Sequence, residues 1–146
     1  MKKIMIINGP NLNFLGIREK NIYGNDDYES ICSYIKDKFS DKKVRIDILQ
    51  SNSEGKLIDF LQSAYFRNFD GIVINPGAYT HYSYAILDAI KSISIPTVEV
   101  HLSNIHEREE FRKTSVTAAA CIAQIYGKGK DGYVEAIKLL LRGENC

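Results

Sequence analysis

The sequence predicts an α/β fold in which a parallel five-stranded sheet is covered by helices on both faces. Short β-rich runs alternate along the chain with amphipathic stretches of helical spacing, which is the order that βαβ units produce. Three of the strand candidates are apolar on both faces, as strands buried between two helical layers are. With 146 residues, 45% of them hydrophobic and 25% charged, residues 1–146 are expected to form a single domain around one core.

The first strand is expected at residues 3–8, where Ile4 to Ile7 are all apolar. It is followed by NGPNLNFLGIREKNIYG, about fifteen residues of connection where about two to six are usual. Tyr28, Ile31, Cys32, Ile35 and Phe39 then recur at helical spacing behind Asp26 and Asp27, either of which suits a helix N-cap. A strand at 44–50 leads to a second helix carrying Leu57, Ile58, Leu61 and Tyr65. A strand at 71–75 leads to a helix over about 81–93, capped by Thr80 and ended by Pro96. The remaining expectations are a strand at 97–102, a short helix at 107–114, a strand at 119–126 and a last helix at 132–141. Five strands alternating with five helices make a flavodoxin-like doubly wound sheet, whose ligands bind beyond the carboxyl ends of the strands where the strand order reverses. Functional residues should therefore follow the first, third and fourth strands.

Composition narrows the partners. Nineteen Lys and Arg against 18 Asp and Glu leave a net charge of +1 with no basic block, so nucleic-acid or membrane-surface binding is not expected. The apolar runs are far shorter than a bilayer span. Cys32, Cys121 and Cys146 are odd in number and widely spaced, which fits reduced thiols in a cytoplasmic protein rather than a disulfide framework. A small molecule or another protein is the expected partner.

The long first connection holds Asn8, Asn11, Asn13, Arg18, Glu19 and Tyr23 between Gly9, Gly16 and Gly24, a polar lid on glycine turns. After the third strand come Asn75, Pro76 and Gly77, then His81, Tyr84 and Asp88 at spacings that share one helix face. On the fourth strand Glu99 and His101 alternate with Val100 and Leu102. They point to one side, where a carboxylate can fix a histidine's tautomer and raise its basicity. Ser103 and Asn104 add donors at the turn, and Arg108 and Arg112 lie one helical turn apart. Two patterns lead nowhere. Gly127, Gly129 and Gly132 match a dinucleotide fingerprint, but the chain ends before the acidic residue and second strand that it needs. His101, His106, Glu107 and Glu110 make no zinc motif, so neither a metal nor a cofactor is expected.

Taken together, GPNLNFLGIRE followed by YG, NPGAYTHYSYAILDAI, VEVHLSNIHEREEFRKTS and GKGKDGY resemble the type II 3-dehydroquinate dehydratases over the full length. Lys20 stands where that family often has proline. The resemblance implies dehydration of 3-dehydroquinate to 3-dehydroshikimate by anti elimination through an enolate. Tyr23 would be the base, Arg18 the charge stabilising its phenolate and the enolate, and Asn11 the holder of a water at the enolate oxygen. His101 would be the acid, oriented by Glu99. Asn75, His81, Arg112, Leu102 and Ser103 would bind substrate, and Asp88 would reach a neighbouring subunit's site. The resemblance also implies a homo-oligomer, a dodecamer of trimers. Tyr79, Tyr82 and Tyr84 at the start of the third helix suit such an interface.

Overall fold

The computed structural model describes residues 1–17, 20–23 and 26–142, with the backbone alone at residues 20 and 23. Arg18, Glu19, Gly24 and Cys146 lie outside the described residues, as does the side chain of Tyr23.

The strands are β1 (Lys2–Asn8), β2 (Val44–Gln50), β3 (Gly71–Asn75), β4 (Thr97–His101) and β5 (Ala123–Tyr126). They form one parallel sheet in the order β2-β1-β3-β4-β5, the flavodoxin-like order whose reversal lies between β1 and β3. The helices are α1 (Lys20–Tyr23), α2 (Tyr28–Lys38), α3 (Glu54–Phe66), α4 (Tyr84–Ile93) and α5 (Asp131–Arg142). Alternation along the strands assigns each side chain to a layer. Ile4, Ile6, Val73, Val98 and Val100 pack with Ile31 and Ile35 of α2 and Tyr133, Ala136 and Ile137 of α5. Met5, Ile7, Ile72 and Ile74 pack with Leu57 and Leu61 of α3 and Ile86 and Ile90 of α4. Among the described residues no helix is long and apolar enough to cross a membrane.

Four sequence expectations need correction. The helix predicted at 81–93 begins at Tyr84, because residues 77–81 form a 3-10 turn and Ser83 caps the helix, its Oγ accepting from the Ile86 N–H at 3.0 Å. Thr80 is no cap, and His81 therefore shares no helix face with Tyr84 and Asp88. Residues 107–114 form no α-helix. They contain the end of one 3-10 turn, Ile105–Glu107, and a second, Glu110–Arg112, since Ile105 is the single buried apolar anchor in these two turns. Residues 119 and 120 belong to a 3-10 turn, Thr117–Ala120, so β5 starts at Ala123. The fourth strand ends at His101, leaving Leu102 in the turn that follows.

The reversal in strand order is tightly closed. A Cβ on Gly9 would sit 2.5 Å from the Pro76 carbonyl oxygen, and one on Gly77, where φ is +61°, would sit 3.1 Å from Pro10. Only glycine allows the connections after β1 and β3 to approach this closely. The Gly9 N–H donates to the Asn75 carbonyl at 2.7 Å and fastens the two together.

Candidate active site

Beyond the carboxyl ends of β1, β3 and β4 lies a cavity of about 130 Å³, where the sequence places its functional residues. Pro10, Asn11 and Leu12 line it from the first connection, and Asn75, Gly77, Ala78 and His81 from the second. His101, Leu102, Ser103, Ile105, Arg108 and Arg112 line it from the third. Of the expected residues, Asn11, Asn75, His81, His101, Leu102, Ser103 and Arg112 thus meet at one cavity. Glu99 stands immediately behind His101. Asp88 is exposed on α4 and does not line the cavity, while Arg18 and the Tyr23 side chain are not described.

Glu99 and His101 occupy the face of β4 opposite Val98 and Val100, and His101 Nε2 lies 2.9 Å from Glu99 Oε2 with both side chains buried. Glu99 has further donors that the sequence reading missed: Ser115 Oγ at 2.7 Å, Gln124 Nε2 at 2.8 Å and the Thr117 hydroxyl. Burial alone would push this carboxyl up. The hydrogen bond and charge of His101, with Thr117 and Gln124, outweigh it and hold Glu99 at about 2. An ionised carboxylate only accepts, so His101 Nε2 carries a proton and Nδ1 is the ring nitrogen left for substrate chemistry. Gln124 was legible only through strand register, because it sits directly opposite Glu99 on β5. Thr80 joins the same network, 2.7 Å from Ser115 Oγ and 2.8 Å from Thr117 Oγ1.

The neighbouring groups have contacts of their own. His81 Nδ1 donates to the Thr114 carbonyl at 2.7 Å, leaving Nε2 of the neutral ring as an acceptor. Asn11 adopts the left-handed conformation at φ 69° and its N–H donates to Asn52 Oδ1 at 3.1 Å. The Leu102 and Ser103 carbonyls accept at 3.1 Å from the N–H groups of Gly129 and Gly127, so the GKGKDG segment fastens the turn that follows β4. Arg112 Nε lies 2.6 Å from Glu109 Oε2, an ion pair whose N–H is not aimed at the oxygen, and its guanidinium packs 4.9 Å from the Phe111 ring centroid. Among the described residues no group of three or more His, Cys, Asp and Glu is placed to hold a metal ion.

A buried, carboxylate-anchored histidine beside asparagine amides, a second histidine and arginines, at the strand reversal of a flavodoxin-like sheet, defines an acid–base enzyme for a small polar molecule. Comparison with known proteins narrows that class. The sequence profile described as "Dehydroquinase class II" matches residues 2–141. A 3-dehydroquinate dehydratase of Clostridium beijerinckii is 65% identical over 138 residues, 94% of this chain and 94% of the relative. One from Fusobacterium nucleatum is 59% identical over 145 residues, 98% and 99% of the two chains. The crystal structure of a type II dehydroquinase from Butyrivibrio crossotus superposes with a TM-score of 0.94 at 58% identity, covering 95% of this chain and 97% of that one. The chain belongs to the class II dehydroquinase family, and it is a hydro-lyase.

Proposed function

We propose that the chain converts 3-dehydroquinate to 3-dehydroshikimate by anti elimination through an enolate, with a protein base and a protein acid on opposite sides of the ring. The observation that carries the reading is the His101–Glu99 pair, 2.9 Å apart and buried at the wall of the cavity.

Tyr23 removes the proton alpha to the ketone. A phenol with a pKa of about 10 is a weak base at neutral pH, so Arg18, five positions earlier in the same segment, stabilises both the phenolate and the enolate that follows. Asn11 holds a water that donates to the enolate oxygen. The enolate collapses as the C–O bond to the tertiary hydroxyl breaks, and His101 delivers a proton from Nδ1 so that the group leaves as water. Glu99 keeps Nε2 protonated and the ring in place throughout. Asn75, His81 and the donors of Leu102 and Ser103 bind the ring hydroxyls and carboxylate, and the planar fork of Arg112 suits the carboxylate.

The active assembly is a homo-oligomer, a dodecamer of trimers in which Asp88 reaches a neighbour's site. Tyr82 and Tyr84, 60% and 65% exposed at the start of α4, are the side chains such a contact would bury. The enzyme acts in the cytoplasm as one catalytic domain, independently of nucleic acid and membrane, in aromatic amino acid biosynthesis or quinate breakdown. Mixing the purified chain with 3-dehydroquinate, without added metal or cofactor, is expected to generate the ultraviolet absorbance of a conjugated enone carboxylate. Substrate that stays unchanged at stoichiometric enzyme would overturn the proposal.

A further inference from the structure

Asn8 and Asn75 end β1 and β3, stand opposite each other in the sheet register and are both buried. Buried amides are costly unless every polar atom finds a partner. Here the partner comes from the far end of the chain. The Tyr133 hydroxyl of α5 donates to Asn8 Oδ1 at 2.6 Å and accepts from Asn75 Nδ2 at 3.1 Å. Asn8 Nδ2 in turn lies 3.3 Å from the Tyr28 hydroxyl, and Asn75 Oδ1 accepts from the Gly77 N–H at 3.2 Å. The hydroxyl reaches this depth because Gly132 brings α5 close to the sheet, where a Cβ would meet Val100 Cγ1 at 3.3 Å. Burial pushes the Tyr133 phenol up and keeps it protonated.

Asn75 lines the cavity, yet its oxygen is taken by Gly77 and one of its two amide hydrogens by Tyr133. We infer that Tyr133 is a positioning residue for the dehydration: with Asn8 aiming its hydroxyl, it sets which way the Asn75 amide faces, so that Asn75 meets substrate as a hydrogen-bond donor. Without that oxygen, Asn75 Nδ2 loses its acceptor and Asn8 Oδ1 its donor, so the Asn75 amide is free to turn from the cavity.

The inference rests on the dehydration reading, and a double-mutant cycle separates the two. Tyr133→Phe removes one oxygen and keeps the ring in the core. Loss of one oriented hydrogen bond should lower kcat/KM about tenfold, carried mainly by KM. In an Asn75→Ala background the same change should lower it less than twofold, because the amide it positions is gone. A merely structural hydroxyl would lower thermal stability and activity by the same factor in both backgrounds, and that additive result, or no change in the otherwise wild-type enzyme, would overturn the inference. Should Tyr133→Phe fail to fold, Asn8→Ala removes the acceptor that aims the hydroxyl and gives the same cycle with the same outcomes. An unsubstituted enzyme inactive on 3-dehydroquinate would instead remove the dehydration reading itself.

Discussion

Glu99→Gln separates the charge of the buried pair from its geometry. Glu99 has no exposed surface and accepts from four side chains, three of them at Oε2: His101 at 2.9 Å, Ser115 at 2.7 Å and Gln124 at 2.8 Å. Glutamine can place its oxygen there and keep those three bonds. Its NH₂ then faces Thr117, whose hydroxyl can accept and pass its own hydrogen to Thr80, 2.8 Å away. The shape survives and the charge is lost. A hydrogen bond to a charged acceptor is worth about 1.5–3 kcal/mol against about 1 kcal/mol for a neutral one, so the pair should lose about 0.5–2 kcal/mol, roughly 2- to 30-fold in kcat. Product absorbance under saturating substrate measures it, and an undiminished kcat would refute the dependence of His101 on that charge. Stability gives a second reading. Glu99 is held at about 2 when folded, below an ordinary 4.5, so the folded chain binds this proton more weakly than the unfolded chain. The stabilisation, up to about 3 kcal/mol, is complete above the unfolded value and is lost as pH falls from there through the folded one. Urea midpoints for the unsubstituted protein should fall over that window, and those of Glu99→Gln should fall less. Parallel curves would place the charge elsewhere.

Tyr23→Phe is expected to lower kcat by about 10²- to 10⁴-fold, the usual worth of a positioned base, while substrate still binds by calorimetry; near-normal turnover would move the base elsewhere. His101→Ala should let the enolate form and revert, so solvent deuterium enters the alpha position faster than product appears, whereas an unchanged dehydration rate would pass the acid role to His81. Asp88→Arg places a reversed charge in the proposed contact. Sedimentation should show smaller particles of lower activity, and an intact, fully active assembly would make Asp88 an ordinary exposed residue of α4.

What the sequence revealed and what it concealed differ by range. The strands were legible because a doubly covered strand shows as an apolar run, as Ile4 to Ile7 do. The His101–Glu99 pair was legible because two positions on one strand share a face. The errors at Thr80 and at 119–126 have a common physical source. Thr80, Ser115 and Thr117 are small polar residues whose hydroxyls answer to Glu99 and to one another. Ser115 Oγ also accepts from the Ala118 N–H at 3.1 Å, which helps set the 3-10 turn Thr117–Ala120 that takes up the first residues of the expected strand. At 107–114, charged residues with high helical propensity lack a buried stripe, and without tertiary packing propensity builds only short turns. Those turns bring Arg108 and Arg112 to the cavity. Partners far apart in sequence leave no local trace: Gln124 lies 25 residues from Glu99 and Tyr133 lies 125 from Asn8. The strand pattern therefore locates the site, and the hydrogen bonds that close across the sheet determine which atoms in it remain available for chemistry.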